Sequence, residues 1–229
     1  MTLADALTEL DSLGTPQTAE RYRRQGMGGD MLGVPFSGLR ALQKRIRRDH
    51  ALARGLWATG IADARHLALL IGDPAETTIQ ELTAWAADLG YYLAADLLSS
   101  FAATTAFAQP LAEEWIESDS EWTGRAGWDT IGLLALRQAR LPDGYFERLL
   151  ERIERDIQGS KNFTRHAMNN ALISIGMRNH HLKGLAQAAA RRIGEVQVDH
   201  GETDCRTPDA VVYIERAYER RSRKKNASA

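Results

Sequence analysis

One cysteine, Cys205, stands in a chain of 229 residues, so no internal disulfide can staple the fold, and a reducing compartment, the cytoplasm, is the expected setting. No apolar run approaches the length of a membrane span, and Met1–Asp5 lacks the basic and apolar regions of a secretory leader. Strand-like alternation of β-branched residues is almost missing, which argues against sandwiches and barrels. The only stretch with strand character is Glu195-Val196-Gln197-Val198-Asp199. No internal period is clean enough to define a repeat by sequence. An excess of positive charge is also missing: the formal net charge is -1, so any surface for a polyanion must come from local clustering.

What is present is alanine, leucine and regular punctuation. Gly14-Thr15-Pro16 opens a helix that ends near Gly26, with proline at a favoured early position. A glycine-rich loop spans Gly26 to Pro35. It is not a nucleotide loop, because no strand precedes it and no Gly-Lys-Ser/Thr follows. A basic helix is expected from Phe36 to Asp49, then shorter helices to Gly60, to Gly72, to about Asp88 and to Ser100. Longer ones cover Pro110–Glu117, Ser120–Arg140, Pro142–Gln158, Ser160–Ile175 and His180–Ile193. Thr207-Pro208-Asp209 reads as the start of a last helix, with Thr207 as its cap. Short connections between helices of this length predict an all-α solenoid of stacked helix pairs, with a closed helical bundle as the alternative. Residues 1–219 are expected to form a single domain and 220–229 a basic, disordered tail.

Two residue pairs invite a functional reading. Tyr92 and Asp96 are four apart, and Trp122 and Arg125 three apart, so each pair shares a helix face. A basic stripe, Arg40, Lys44, Arg47 and Arg48, follows helical spacing. Arg21, Arg23 and Arg24 precede the glycine loop, and Arg165 and Arg178 flank the helix carrying Asn169 and Asn170. On a concave surface these could converge on a duplex backbone; the bland alternative is an ordinary solvated face. His166, Asp199, His200, Glu202 and Cys205 match no zinc spacing, and His180 and His181 diverge on a helix, so no metal is expected. Trp57, Trp85 and Trp115 sit in apolar helical patterns and are expected to fill core. Met27, Met31 and Met168 read as core or loop filler.

Met31-Leu32-Gly33-Val34-Pro35 with Leu39-Arg40 resembles the N-terminal signature of the DNA alkylation repair (AlkD-like) HEAT-repeat family. Trp57-Ala58-Thr59-Gly60, Ala68–Pro74, Trp85–Leu89, Trp115–Ser118, Trp122 and Arg125-Ala126 extend the resemblance over most of the chain. Arg165–Ile173 and Val198–Cys205 resemble a branch that lacks part of the glycosylase set. The resemblance implies a HEAT-like, armadillo-like helical solenoid with DNA as its partner; no cofactor is expected, and a monomer is the expected state, although nothing in the sequence fixes the oligomeric state. It implies Asp96 as the catalytic carboxylate, stabilising an oxocarbenium-like sugar while a cationic alkylated purine leaves. It implies Arg125, Arg40 and Lys44 on phosphates, with Tyr92, Trp122, Arg47, Arg165, Asn169 and Asn170 completing the DNA-binding set. Two departures count against excision: Tyr92 and Asn170 stand where the family's glycosylases carry tryptophan. Three functions therefore stay open: an alkylpurine DNA glycosylase, a non-catalytic binder of damaged or branched DNA, and a protein-binding helical scaffold.

Overall fold

The computed structural model describes residues 1–138 and 140–227, with side chains through residue 220. The described residues are all-α. In order they form α1 (Leu3–Leu13), α2 (Pro16–Arg24), α3 (Phe36–Ile46), α4 (His50–Ala58), α5 (Ala62–Ile71), α6 (Ile79–Ala87), α7 (Tyr92–Ala102), α8 (Ala108–Trp115), α9 (Glu121–Arg137), α10 (Asp143–Asp156), a 3-10 turn (Ile157–Gly159), α11 (Asn162–Gly176), α12 (His180–Ile193) and α13 (Ala210–Ala227). No described helix is long and apolar enough to cross a membrane. The residues from 220 onward, expected as a disordered tail, continue α13 in the described backbone through Ala227; the side chains beyond Arg220 and residues 228 and 229 fall outside the described residues.

Helix starts follow local chemistry. Thr2 and Asp5 form a reciprocal capping box on α1, Thr15 caps α2 with Pro16 in the first turn, and Asp49, Thr78, Ser120 and Asn179 cap α4, α6, α9 and α12. The last helix differs from expectation. Its cap is Asp209, whose Oδ1 accepts from Val212 N–H at 3.0 Å, while the Thr207 hydroxyl sits 3.0 Å from His200 Nε2. The basic helix also stops early, because Arg47 adopts φ 66°, ψ -101° and breaks α3 after Ile46.

Within the span expected to form one domain, the backbone clusters into two compact units, Met1–Leu111 with Gly201–Asp204, and Ala112–His200 with the residues from Cys205 onward. In the first unit α5 packs on α3, α4 and α7, and α1 on α4. Trp57 and Trp85 are buried as expected and stack at 4.6 Å between ring centroids. In the second unit α9 and α11 share the broadest helix contact, and α12 packs on α10, α11 and α13. Trp115 is fully buried. Beside it, Gly127 of α9 permits close approach: a Cβ there would fall 2.7 Å from the Ile116 backbone nitrogen.

The glycine loop is organised by one buried carboxylate. Asp63, in the first turn of α5, is 1% exposed. Its Oδ2 accepts from Leu32 N–H at 2.6 Å and Gly33 N–H at 3.2 Å, and its Oδ1 from Val34 N–H at 2.8 Å. Gly33 has φ 75°, and a Cβ there would lie 2.4 Å from the Thr15 carbonyl oxygen, so the loop needs glycine at this point. One turn further along α5, His66 is buried, with Asp63 the charge that acts on it. Burial drives its pKa down to about 4, against a small opposing pull from the Asp63 charge.

The strand-like stretch Glu195–Asp199 forms no ladder. Side chains stand in for a neighbouring strand. Gln158 Nε2 donates to Glu195 O at 3.2 Å, Arg165 Nη1 to Gln197 O at 3.0 Å, and Asn162 Nδ2 to Asp199 O at 2.7 Å while its Oδ1 accepts from Asp199 N–H at 2.8 Å.

Two outcomes follow. Asp63→Asn leaves the same loop with one acceptor oxygen and a misplaced amide, and should lower unfolding free energy by roughly 3 kcal/mol in urea titrations. His66 protonates in the unfolded chain near its ordinary 6.5 but only near 4 when folded, so the unfolded state binds more protons between those values. Stability should therefore rise with pH across this window, by about 3 kcal/mol in all, and His66→Leu should flatten that part of the pH profile.

Candidate functional site

In the first unit, α7 carries Tyr92 and Asp96 one turn apart, both half-buried. Ser100 continues the same stripe, each step of four residues advancing about 6 Å along the axis. Behind Tyr92 stands an aromatic cluster that sequence reasoning missed. Tyr91 is buried and its ring centroid lies 4.2 Å from that of Tyr92. It packs with Tyr22 and Met27, and with the partly buried Met31 and Leu93. The Tyr91 hydroxyl donates to Gln25 Oε1 at 3.4 Å, and the Tyr22 hydroxyl to the Val34 carbonyl at 3.0 Å. Burial pushes the Tyr91 phenol far up, and Tyr92, Tyr22 and the Asp96 charge add to it. Met27 and Met31 thus line this cluster rather than filling a loop. The available signal was the one-turn spacing of Ala19 and Tyr22 on the buried face of α2, paired with the doubled tyrosine.

The basic residues gather in the same unit. Arg40, Lys44, Arg47 and Arg48 line one concavity of about 590 Å³, whose floor includes Leu69, Leu97 and Phe101, with Ser100 at its edge. The helix expected to carry all four ends at Ile46, so Arg40 and Lys44 come from α3 and Arg47 and Arg48 from the positive-φ turn that follows it. Arg40 is held by Gln43 Oε1 at 2.8 Å and lies over the Phe36 ring at 5.0 Å. Arg48 pairs with Asp73 at 3.5 Å. Among the described residues no carboxylate pairs with Lys44 or Arg47. On α2, Arg23 sits 3.9 Å from Glu20 and Arg21 lies over the Tyr22 ring at 5.3 Å.

In the second unit, Trp122 is half-buried against Phe163, ring centroids 5.1 Å apart. Arg125 is only 5% exposed. Its guanidinium sits 3.6 Å from Asp129, 3.1 Å from His166 Nδ1 and 3.4 Å from the Phe163 carbonyl. His166 meets His200 edge-on at 5.2 Å. Arg165 bonds Gln197 O and Ser160 O. Asn169 is buried and donates to Pro208 O at 3.0 Å, fixing the approach to α13, while Asn170 is half-buried beside it. Arg178 donates to the carbonyls of Ala135, Gln138 and Leu141. The expected convergence of Arg165 and Arg178 on an outside partner thus meets two guanidiniums already spent on backbone carbonyls. A second concavity, about 870 Å³, is walled by Leu172, Ile193, Val196, His200 and Cys205 among others. Among the described residues no group of three histidine, cysteine or acidic side chains is placed to hold a metal ion.

Residues 6–189 match the family model for DNA alkylation repair enzymes. This chain belongs to the DNA alkylation repair enzyme family. Uncharacterized proteins of Listeria innocua (Lin0241) and Listeria monocytogenes (Lmo0209) are each 31% identical to it over 219 residues, covering 93% of this chain and 96% of theirs. A solved structure described as "a new family of proteins related to the HEAT-like repeat DNA glycosylases with affinity for branched DNA structures" superposes with a TM-score of 0.85 at 26% identity, over 96% of this chain and 95% of that one. The helical fold of this family member is accordingly the HEAT-like repeat expected from its sequence. The family model ends before Glu195, so the extended segment and α13 lie beyond the matched span.

Asn162 anchors that segment by both its amide atoms. Asn162→Ala should speed hydrogen exchange at the Asp199 amide and cost about 1 kcal/mol, with the helices of the family core unchanged.

Proposed function

We infer that this chain binds duplex and branched DNA through its phosphates. The single observation that carries this reading is the first-unit concavity, where among the described residues Lys44 and Arg47 lack a carboxylate partner and Arg40 and Arg48 stand beside them. Three other guanidiniums of the first unit are committed: Arg45 to Glu9, Arg54 to Glu81 and Arg65 to Asp88. Unneutralised cations gathered at one place on a chain of net charge -1 are the local field a polyanion requires. Family membership and the branched-DNA affinity ascribed to the structural neighbour support the same partner. We assign phosphate contact to Arg40, Lys44 and Arg47. Arg125, Arg165 and Asn169 have the role of shaping the surface on which Trp122 and Asn170 stand.

A second reading, excision of cationic alkylated purines, rests on Asp96. Its carboxylate sits half-buried one turn from Tyr92, on the stripe that leads to the basic concavity. Such a carboxylate can stabilise a developing sugar cation electrostatically. Against it stands Tyr92, a smaller aromatic wall than the indole of the family's glycosylases. Binding without excision is therefore the conclusion preferred.

Fluorescence anisotropy on duplex and four-way-junction DNA across a salt series tests the binding. Each phosphate contact contributes about -0.9 to the slope of log K against log salt, so Lys44→Ala should flatten that slope by about one. Salt-independent affinity would point to a protein-binding scaffold instead. Single-turnover incubation with DNA carrying 7-methylguanine or 3-methyladenine, wild type beside Asp96→Asn, tests excision. No base release is expected, and release lost in the Asp96 variant would establish the glycosylase reading.

A further inference from the structure

The basic concavity is built for an end more than for a passing backbone. A phosphate diester within a strand carries one negative charge. A terminal phosphate monoester carries close to two at neutral pH, on three free oxygens. Cations serving a continuous backbone are strung along a track. Here Arg40, Lys44, Arg47 and Arg48 face one concavity of about 590 Å³ that has an apolar floor of Leu69, Leu97 and Phe101. With Arg48 set against Asp73, the surplus falls on Arg40, Lys44 and Arg47. An apolar floor lowers the local dielectric and makes each charge count for more.

Arg47 supplies an independent argument. It is the one non-glycine residue with positive φ among the described residues, at φ 66°. Glycine would hold that turn without strain, yet the position carries the longest cationic side chain available. Arg47 N–H still makes the last i→i−4 bond of α3, to the Gln43 carbonyl at 2.7 Å, and the chain leaves the helix at its positive φ. This places the guanidinium where a continuing helix would not.

We propose that the concavity lined by Arg40, Lys44 and Arg47 is a receptor for a DNA strand end bearing a terminal phosphate, as found at nicks and flaps. This rests on the reading of the chain as a DNA binder and names the feature of branched DNA that this surface recognises.

The test compares nicked and flapped duplexes that differ only in a phosphate or hydroxyl at the strand end, by anisotropy at fixed salt. The wild-type protein should prefer the phosphorylated end roughly tenfold, the worth of one or two charge-assisted contacts. Near pH 5 the preference should narrow, because the monoester loses its second charge below about pH 6. Arg47→Gly is the informative variant: it keeps the left-handed turn and removes the cation, so the preference should vanish while thermal stability holds or rises. Lys44→Ala should act in the same direction. Equal affinity for both ends, with steep salt dependence intact, would overturn the end receptor and leave the DNA-binding reading standing. No salt-dependent binding to any DNA would overturn that reading and the receptor with it. Inorganic phosphate raising the melting temperature as much as the phosphorylated duplex does would reassign the concavity to a small anion.

Discussion

The Asp63 carboxylate organises the first unit. It lies in the first turn of α5, where the helix dipole favours negative charge, and it accepts three consecutive backbone N–H groups from the Leu32–Val34 loop. A buried carboxylate is tolerable only when hydrogen bonding replaces its lost hydration. The loop, in turn, has backbone donors that no ladder or helix would satisfy. Each solves the other's problem. The consequence is positional: the loop runs directly into α3, so the anchor that fixes Val34 also fixes where the basic helix begins. The Val34 carbonyl then receives the Tyr22 hydroxyl, which ties the aromatic cluster behind Tyr92 to the same anchor.

Arginine serves two distinct purposes in this chain. Arg125, Arg165 and Arg178 act as multi-donor brackets for carbonyls and, at Arg125, a half-buried carboxylate. The planar guanidinium suits this task because its donors fan out in one plane. Lys44 and Arg47 do the opposite: they line the concavity with its apolar floor, and no carboxylate among the described residues pairs with either. Residue type and sequence spacing do not separate these groups. Only neighbours do: a guanidinium beside orphan helix-end carbonyls is consumed by them, whereas one projecting past a helix end retains its charge for a partner.

Much of the fold was legible because it depends on local chemistry. Thr15 and Ser120 stand where the sequence places helix starts, and Thr2, Asp49, Thr78 and Asn179 cap other helices by the same chemistry, short polar side chains that reach nearby N–H groups. Trp57, Trp85 and Trp115 sat in apolar periodicity and are core. The errors came where contacts are distant. Thr207 reads as a cap, but its hydroxyl is taken by His200 and Asp209 replaces it. Val196 and Val198 read as strand, but side chains of the 158–165 region satisfy the backbone on either side of them. The candidate site was half legible. The Tyr92–Asp96 stripe and the basic cluster are visible as spacing, whereas the Tyr22–Tyr91 backing is not, because it joins α2 to the start of α7 across some seventy residues of chain.

By itself, then, the sequence determined an all-α chain, some of its helix starts, its indole core and its membership of the DNA alkylation repair family, since these follow from periodicity, capping chemistry and residue pattern, all properties of neighbours along the chain. Tertiary structure alone decided which cations remain available. Arg47 reaches the concavity through a left-handed turn that helical spacing does not foresee, and Arg125 is drawn into a buried bracket by Asp129 and His166. A charge is neutralised or kept by what lies within a few ångströms of it, and for side chains distant in sequence that distance exists only once the helices have packed.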